Sequence, residues 1–270
     1  MRSGRFCLAG GVAMNCGMNG RLASEDFVDD IFVQPAASDS GVSLGAALLM
    51  AKEEGDDPAF RMRHLYYGPE FSNEEIETAL KEAKIGYYKS DHVARDTAGY
   101  LARGRIVGWL QGCMEVGARG LGNRSILASP MINNMKDRLN REVKHREMWR
   151  PFCPSMKDEY YEQYIEAKAD SLFMVMAFPV MPEYRSVCPA VVHVDDTARP
   201  QAVSRQDNAR FWQLLDEFER LTGEAILINT SFNIQGEPIV CSPRDALRCF
   251  GGTGVDVLVM GDYIAEKLHV

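Results

Sequence analysis

Between Arg119 and Arg150 the sequence gathers eight basic residues (Arg119, Arg124, Lys136, Arg138, Arg141, Lys144, Arg146 and Arg150) against Asp137, Glu142 and Glu147. This stretch is about +5 in a chain whose net charge is −8. Lys136, Arg138 and Arg141 fit a solvated helix face. Arg119, Arg124, Arg146 and Arg150 do not, because GARGLGNRS and KHREMWRPF set them beside Gly, Asn, Pro and aromatic residues. Arginine offers paired donors to a phosphate or carboxylate, and glycine lets backbone N–H groups approach one. A second polar node, Asn229-Thr230-Ser231-Phe232-Asn233, follows an apolar run and precedes Gly236-Glu237-Pro238. Ligands of α/β sheets gather at the carboxyl ends of strands. A turn that satisfies its own backbone is the competing reading. One anionic ligand would account for both nodes.

Positioning these groups takes a sheet with loops at one end, and the pattern supplies one. Residues 5–9 read as a short buried strand ending at Gly10-Gly11, and 41–54 as a helix with Asp39 and Ser40 as cap candidates. Gly55-Asp56-Asp57-Pro58 is the best domain boundary. Ser72 caps a helix reaching Ala83, with Glu75 at capping-box spacing. Residues 85–89, 106–110, 225–229 and 256–260 read as strands, and 172–178 and 190–194 as extended. Residues 92–103, 133–143 and 207–222, with a segment from Arg244, read as helices. Strands alternating with helices indicate an α/β or mixed-sheet domain.

Composition narrows the class. Apolar residues make up 46% and charged residues 25%, a globular mix that excludes disorder and collagen-like repeats. The 270 residues allow one large domain or two modest ones. No apolar run reaches the roughly 18 residues of a membrane span. The net charge argues against nucleic acid and anionic lipid as partners of the whole surface. The seven cysteines are scattered without a C-x-x-C pair, so they read as small apolar residues in a reducing compartment. The apolar stretch after Arg2 and Arg5 is broken by Gly10, Gly11 and Asn15, which fails as a signal peptide. The expected setting is cytoplasmic.

Four blocks in order, EVGARGLGNRSILASP, NREVKHREMWRPFCPS, HVDDTARPQAV and INTSFNIQGEPIV, resemble the carbamoyltransferases of the nodulation, cephamycin and aminoglycoside pathways. LAGGVAMNCGMNGRL and QPAASDSGVSLGAALLMA look like the end of that family's first domain. The resemblance implies two parts. Residues 1–62 would be the C-terminal fragment of an actin/Hsp70-type ATPase-fold transfer domain. Residues 63–270 would be a YrdC-like domain, a twisted mixed sheet with helices, that makes carbamoyl adenylate. It also implies ATP with Mg2+ and carbamoyl phosphate as ligands, and a hydroxyl-bearing small molecule as acceptor.

The K-x-R and S-x-N hallmarks of YrdC-like domains stand here as Lys144-His145-Arg146 and Ser231-Phe232-Asn233. By the resemblance Lys144, Arg146, Ser231 and Asn233 are catalytic. Lys144, Arg146 and Arg150 would hold phosphates, Arg119 and Arg199 would close on carbamoyl phosphate, Asn229 and Ser231 would hydrogen-bond the carbamoyl group or α-phosphate, and Asn233 would complete that wall. Two phosphorylated ligands must have their charge neutralised before attack, which explains the cations. The sequence departs from the family at Ala118 and Gly120, where Pro and Ala are usual, at Cys113, where Arg is common, and at Asp196, where Gly is usual. Losing a cation and adding a carboxylate would weaken the anion site.

The family's H-x-x-x-H metal motif is not present, since no two of His64, His92, His145, His193 and His269 are four apart. Asp39 matches the third ligand of that divalent, iron-type metal, and a lone carboxylate cannot hold it tightly. Gly10 and Gly11 match the nucleotide-cradling turn of the first domain. The chain therefore reads as a C-terminal portion that has lost the transfer step. A nucleic-acid-binding module and an inactive scaffold are the alternatives.

Overall fold

The computed structural model describes residues 4–267. The N-terminal segment holds a parallel pair, β1 (Arg5–Leu8) and β2 (Asp30–Val33), with helices α1 (Cys16–Ala23) and α2 (Val42–Glu53). Its α1 docks closely on the rest of the chain. The Ala177 N–H donates to Cys16 O at 3.0 Å, and Asn19 Nδ2 donates to Val175 O at 2.8 Å. Gly20 permits this approach, because a Cβ there would lie 1.8 Å from Ala177 O. Helix α2 is less covered: Val42, Leu49 and Met50 are 69%, 57% and 55% exposed.

The remaining strands form an eight-stranded mixed sheet and a small ribbon. The sheet comprises β3 (Tyr88–Lys89), β4 (Val107–Leu110), β5 (Arg124–Ala128), β6 (Cys153–Lys157), β9 (Gln201–Val203), β10 (Ile226–Ser231), β11 (Val257–Met260) and β12 (Tyr263–Glu266). Their order is β3-β12-β11-β4-β5-β10-β6-β9, with β4–β11 and β6–β9 parallel and the other pairs antiparallel. The ribbon pairs β7 (Phe178–Pro179) with β8 (Thr197–Ala198).

Helices cover both faces, so the central strands are apolar without alternation, as in VGWL of β4. Helices α4 (Val93–Ala102) and α8 (Ala209–Thr222) pack Leu101, Phe211, Leu214, Leu215 and Phe218 onto Trp109, Leu127 and Leu227. Asn208 caps α8 by accepting from the Phe211 N–H, and Gly223 ends it at φ 84°. Helices α3 (Asn73–Glu82) and α9 (Pro243–Gly252), each with a complete capping box, serve the opposite face, where Ile126, Ile226, Ile228 and Met156 lie. Burying each such Leu, Ile or Phe side chain contributes about 1.5–3 kcal/mol.

Direct cross-strand partners share a face of a sheet and alternate residues return to it. The register pairs Leu127 and Cys153 with Asn229, and Ser125 with Ser231. The apolar face carrying Leu127 and Leu227 therefore continues into a strip of Cys153, Asn229, Ser125 and Ser231. That strip underlies the candidate site.

The structure corrects several expectations. β1 alternates between exposed and half-buried residues rather than being buried, because it pairs only with β2 among the described residues. The helix expected over 133–143 is a short α5 (Met135–Arg138) followed by a π-helical stretch, Leu139–Lys144. Of 172–178 only Phe178 joins a strand, and 190–194 opens within a 3-10 turn, Pro189–Val191. Further single turns are α6 (Tyr161–Tyr164) and α7 (Pro182–Arg185).

Candidate active site

Lys144 ends the π-helical stretch, a geometry frequent at functional sites, and His145 at φ 49° turns the chain away behind it. The Lys144 side chain crosses to the end of β10. Its Nζ donates to Ser231 O at 2.5 Å, to Asn233 Oδ1 at 2.8 Å and to Asn233 O at 3.1 Å. Ser231 Oγ donates to the same Asn233 Oδ1 at 2.8 Å. The K-x-R and S-x-N pairs thus meet, but the three Lys144 donors are all occupied. In this structure Lys144 fixes the Ser-x-Asn turn, and none of its Nζ donors is left for the expected phosphate contact. Burial, and then the Arg146 cation, push its pKa down to about 7.

The neighbours of Lys144 are cations. Arg146 lies 4.7 Å above the Phe152 ring and donates from Nε to Asn140 Oδ1 at 2.7 Å. Arg150 pairs with Glu147 at 3.2 Å. Arg199 donates from Nε to Cys153 Sγ at 3.0 Å and sits beside Cys16. Arg119 is half-buried and, among the described residues, has no hydrogen bond or ion pair. Burial and then the Arg199 cation lower the Arg119 pKa; burial and then the Arg150 cation lower that of Arg146, with Arg199 adding to it. Among the described residues no carboxylate pairs with Arg119, Arg146 or Arg199. Partly desolvated guanidinium groups that repel one another make a site that an anion stabilises.

The loop that presents Arg119 is held from below. Glu115 is 1% exposed, and its Oε1 accepts the backbone N–H groups of Leu121 at 2.5 Å, Arg124 at 3.1 Å and Asn123 at 3.3 Å. These amides, which the glycine-rich sequence offered to a phosphate, are engaged internally. Gly120 lies closer to β10 than alanine permits, since a Cβ there would be 2.9 Å from both Ser231 Cα and Arg124 O. Leu121 O accepts from Gln201 Nε2 at 2.9 Å. Gln201 Oε1 accepts from Ser155 Oγ at 2.6 Å and from Asn229 Nδ2 at 3.1 Å. Asn229 is therefore part of the strip under the Arg119 loop.

Other residues lie outside this cluster. Arg124 is fully buried, and its guanidinium donates to the carbonyls of Gln111, Gly112, Asn123, Pro69 and Cys241, so it is structural. Arg138 is not on a solvated face: it pairs at 2.8 Å with the 3%-exposed Asp256 and at 2.9 Å with Glu142. Asp196 adds no carboxylate to the cluster, because it pairs with Arg185 at 2.7 Å. Its φ of 60° explains why glycine suits that position. Gly10 and Gly11 are exposed in the N-terminal segment, where the Gly10 N–H donates to Ala37 O at 2.7 Å. Among the described residues no hydrogen bond joins them to the cations. Asp39 is exposed, and no set of three His, Cys, Asp or Glu side chains able to hold a metal exists among the described residues. The described residues do not supply a donor set that fits the iron-type metal.

The family model for the carbamoyltransferase C-terminus matches residues 98–267, and that for the carbamoyltransferase N-terminus matches 1–48. Nodulation protein NolO of Bradyrhizobium diazoefficiens is 43% identical, over 97% of this chain and 49% of its own length. The 3'-hydroxymethylcephem-O-carbamoyltransferase of Streptomyces clavuligerus is 34% identical, over 94% of this chain and 47% of its own. The chain thus spans about half the length of these relatives. Among solved structures, full-length HypF in its phosphate- and nucleotide-bound form aligns at TM-score 0.42 and 16% identity, over 65% of this chain and 22% of that one.

Proposed function

The chain belongs to the carbamoyltransferase family, and from that premise we propose that its larger part binds ATP and carbamoyl phosphate and forms carbamoyl adenylate. The observation that carries this reading is the group of Arg119, Arg146 and Arg199, which has no carboxylate partner among the described residues, beside the end of β10. Water releases phosphate from carbamoyl phosphate and leaves carbamate. A carbamate oxygen then attacks the α-phosphorus of ATP, the bond to the bridging β-phosphate oxygen breaks, and pyrophosphate leaves. Arg119 and Arg199 hold the carbamoyl phosphate end, and Arg146 and Arg150 hold the nucleotide phosphates. Ser231 and Asn233 form the wall that Lys144 keeps in place. Neutralising and orienting two anions is the main task, so cations and a rigid turn are the right equipment.

In this reading residues 63–270 form a YrdC-like domain, and 1–62 belong to an ATPase-fold transfer domain. The acceptor is a hydroxyl-bearing small molecule, as the name of the cephem enzyme states for that relative. A cytoplasmic setting accords with free thiols at all seven cysteines. No helix among the described residues is long and apolar enough to cross a membrane.

Thermal unfolding with each ligand alone tests the binding half. Both ATP and carbamoyl phosphate raise the melting temperature in a concentration-dependent way; a melting point that neither ligand moves overturns the reading.

A further inference from the structure

Two of the seven free thiols meet one guanidinium. Arg199 donates from Nε to Cys153 Sγ at 3.0 Å, and the Cys16 thiol lies within hydrogen-bonding reach of the same side chain. Arg119 is close enough to feel both sulfurs. The two cysteines come from different parts of the chain, and each is held by its backbone. Cys153 opens β6 and pairs across the sheet with Asn229. Cys16 opens α1, where its carbonyl accepts the Ala177 N–H at 3.0 Å. Three residues on, Asn19 Nδ2 donates to Ala13 O and to Val175 O, each at 2.8 Å. The docking of α1 on the rest of the chain therefore brings the sulfurs to the cation cluster.

A thiol that reacts with hydrogen peroxide expels hydroxide, and partly desolvated cations without a carboxylate stabilise that charge as it forms. We propose that Cys16 and Cys153 form a peroxide-driven disulfide that ties the N-terminal segment to the sheet. Cys16 is half-buried and Cys153 buried, so Cys16 reacts first. Its sulfur takes one peroxide oxygen to become a sulfenic acid, and water leaves. Cys153 Sγ then attacks the Cys16 sulfur, the S–O bond breaks, and the hydroxyl departs with the Cys153 thiol proton as a second water. The two sulfurs together lose two electrons, which reduce the peroxide. Bonded sulfurs lie about 2.05 Å apart, so the Arg199 guanidinium gives way as they close. The oxidant thus acts on a cation of the anion site and on the docking of α1 together. In a reducing compartment such a bond is transient and is reopened by dithiols.

The full chain is treated with hydrogen peroxide, alkylated, and nicked with a glutamate-specific protease at the exposed Glu53 and Glu54. On a denaturing gel without reductant the two pieces stay joined, and dithiothreitol separates them. Peptide mass spectrometry finds Cys16 linked to Cys153 with the loss of two hydrogens. Cys16→Ser and Cys153→Ser each abolish the link, and Cys7→Ser keeps it. The proposal is overturned if peroxide leaves both thiols open to alkylation, or drives both to sulfinic acid without a link. A link from either one to another cysteine overturns it as well. The wild type alone decides each of these outcomes, so no variant has to fold.

Discussion

The Nζ of Lys144 lies 2.5 Å from the carbonyl oxygen of Ser231, a residue 87 positions further along the chain. This contact joins a π-helical stretch to the end of the central β10 strand. It makes the lysine a brace, with Arg146 two residues on as the nearer candidate for a phosphate. A brace buried beside another cation is sensitive to what neutralises that cation.

Anion binding at this site is therefore expected to draw in a proton. Unfolded, Lys144 has the ordinary value of 10.5; folded, it is pushed down to about 7. Between these values the unfolded state binds more protons, so this residue's contribution to stability rises with pH; below about 7 it is flat. A bound polyanion raises the folded value and reverses part of the shift. Calorimetry of pyrophosphate binding at pH 8, in buffers of different ionisation enthalpy, should show net proton uptake that Lys144→Met abolishes. Equal uptake by the variant would contradict this.

Arg146→Ala should weaken binding of ATP or pyrophosphate by about 1.5–3 kcal/mol, the scale of a charge-assisted hydrogen bond. Arg141→Ala, at a residue 67% exposed, should leave it unchanged within error. Equilibrium titration distinguishes the two; equal losses would mean a diffuse charge effect.

Arg138→Ala should destabilise the fold by about 2–3 kcal/mol. Removing it leaves the buried Asp256 without this partner, and the partial exposure of Arg138 keeps the loss below that of a fully buried pair. Arg141→Ala should stay within about 0.5 kcal/mol of wild type. Urea unfolding of both variants reads the difference, and similar midpoints would restore Arg138 to the solvent.

Glu115→Ala should strand three backbone donors and destabilise the chain by about 3 kcal/mol, with anion affinity falling as the Arg119 loop loosens. Glu115→Gln keeps an acceptor oxygen and should recover much of that affinity. Parallel binding and unfolding curves test the pairing of the two effects. A glutamine variant that binds no better than alanine would show that the acceptor does not organise the loop.

Much of this architecture was legible in the residues. The capping box at Ser72 and Glu75, the amphipathic run of α8 and the apolar strand β4 each carry a local signal strong enough to survive packing. Strands β5 and β6 do not, because RSILA and CPSMK bring Arg, Ser, Pro and Lys into a fully buried ladder. Their polar groups are satisfied largely by distant partners: Arg124 by the carbonyls of Pro69, Gln111, Gly112 and Cys241, Ser155 by Gln201, and Lys157 by Asp216 and Glu219. The basic stretch was readable as a charge anomaly, but its division was not. Arg138 and Arg124 proved structural because Asp256 and the Pro69 and Cys241 carbonyls come from remote segments. Glu115 carries no sequence mark of its role, since its acceptors' donors are backbone.

The most direct measurement is isotope exchange between labelled pyrophosphate and ATP by the purified chain, with and without carbamoyl phosphate. The account predicts exchange only when carbamoyl phosphate is present, reduced at least about tenfold by Arg199→Ala or Arg119→Ala, as expected when a charge-assisted contact is removed. Exchange that is absent, that proceeds without carbamoyl phosphate, or that ignores both substitutions would contradict it.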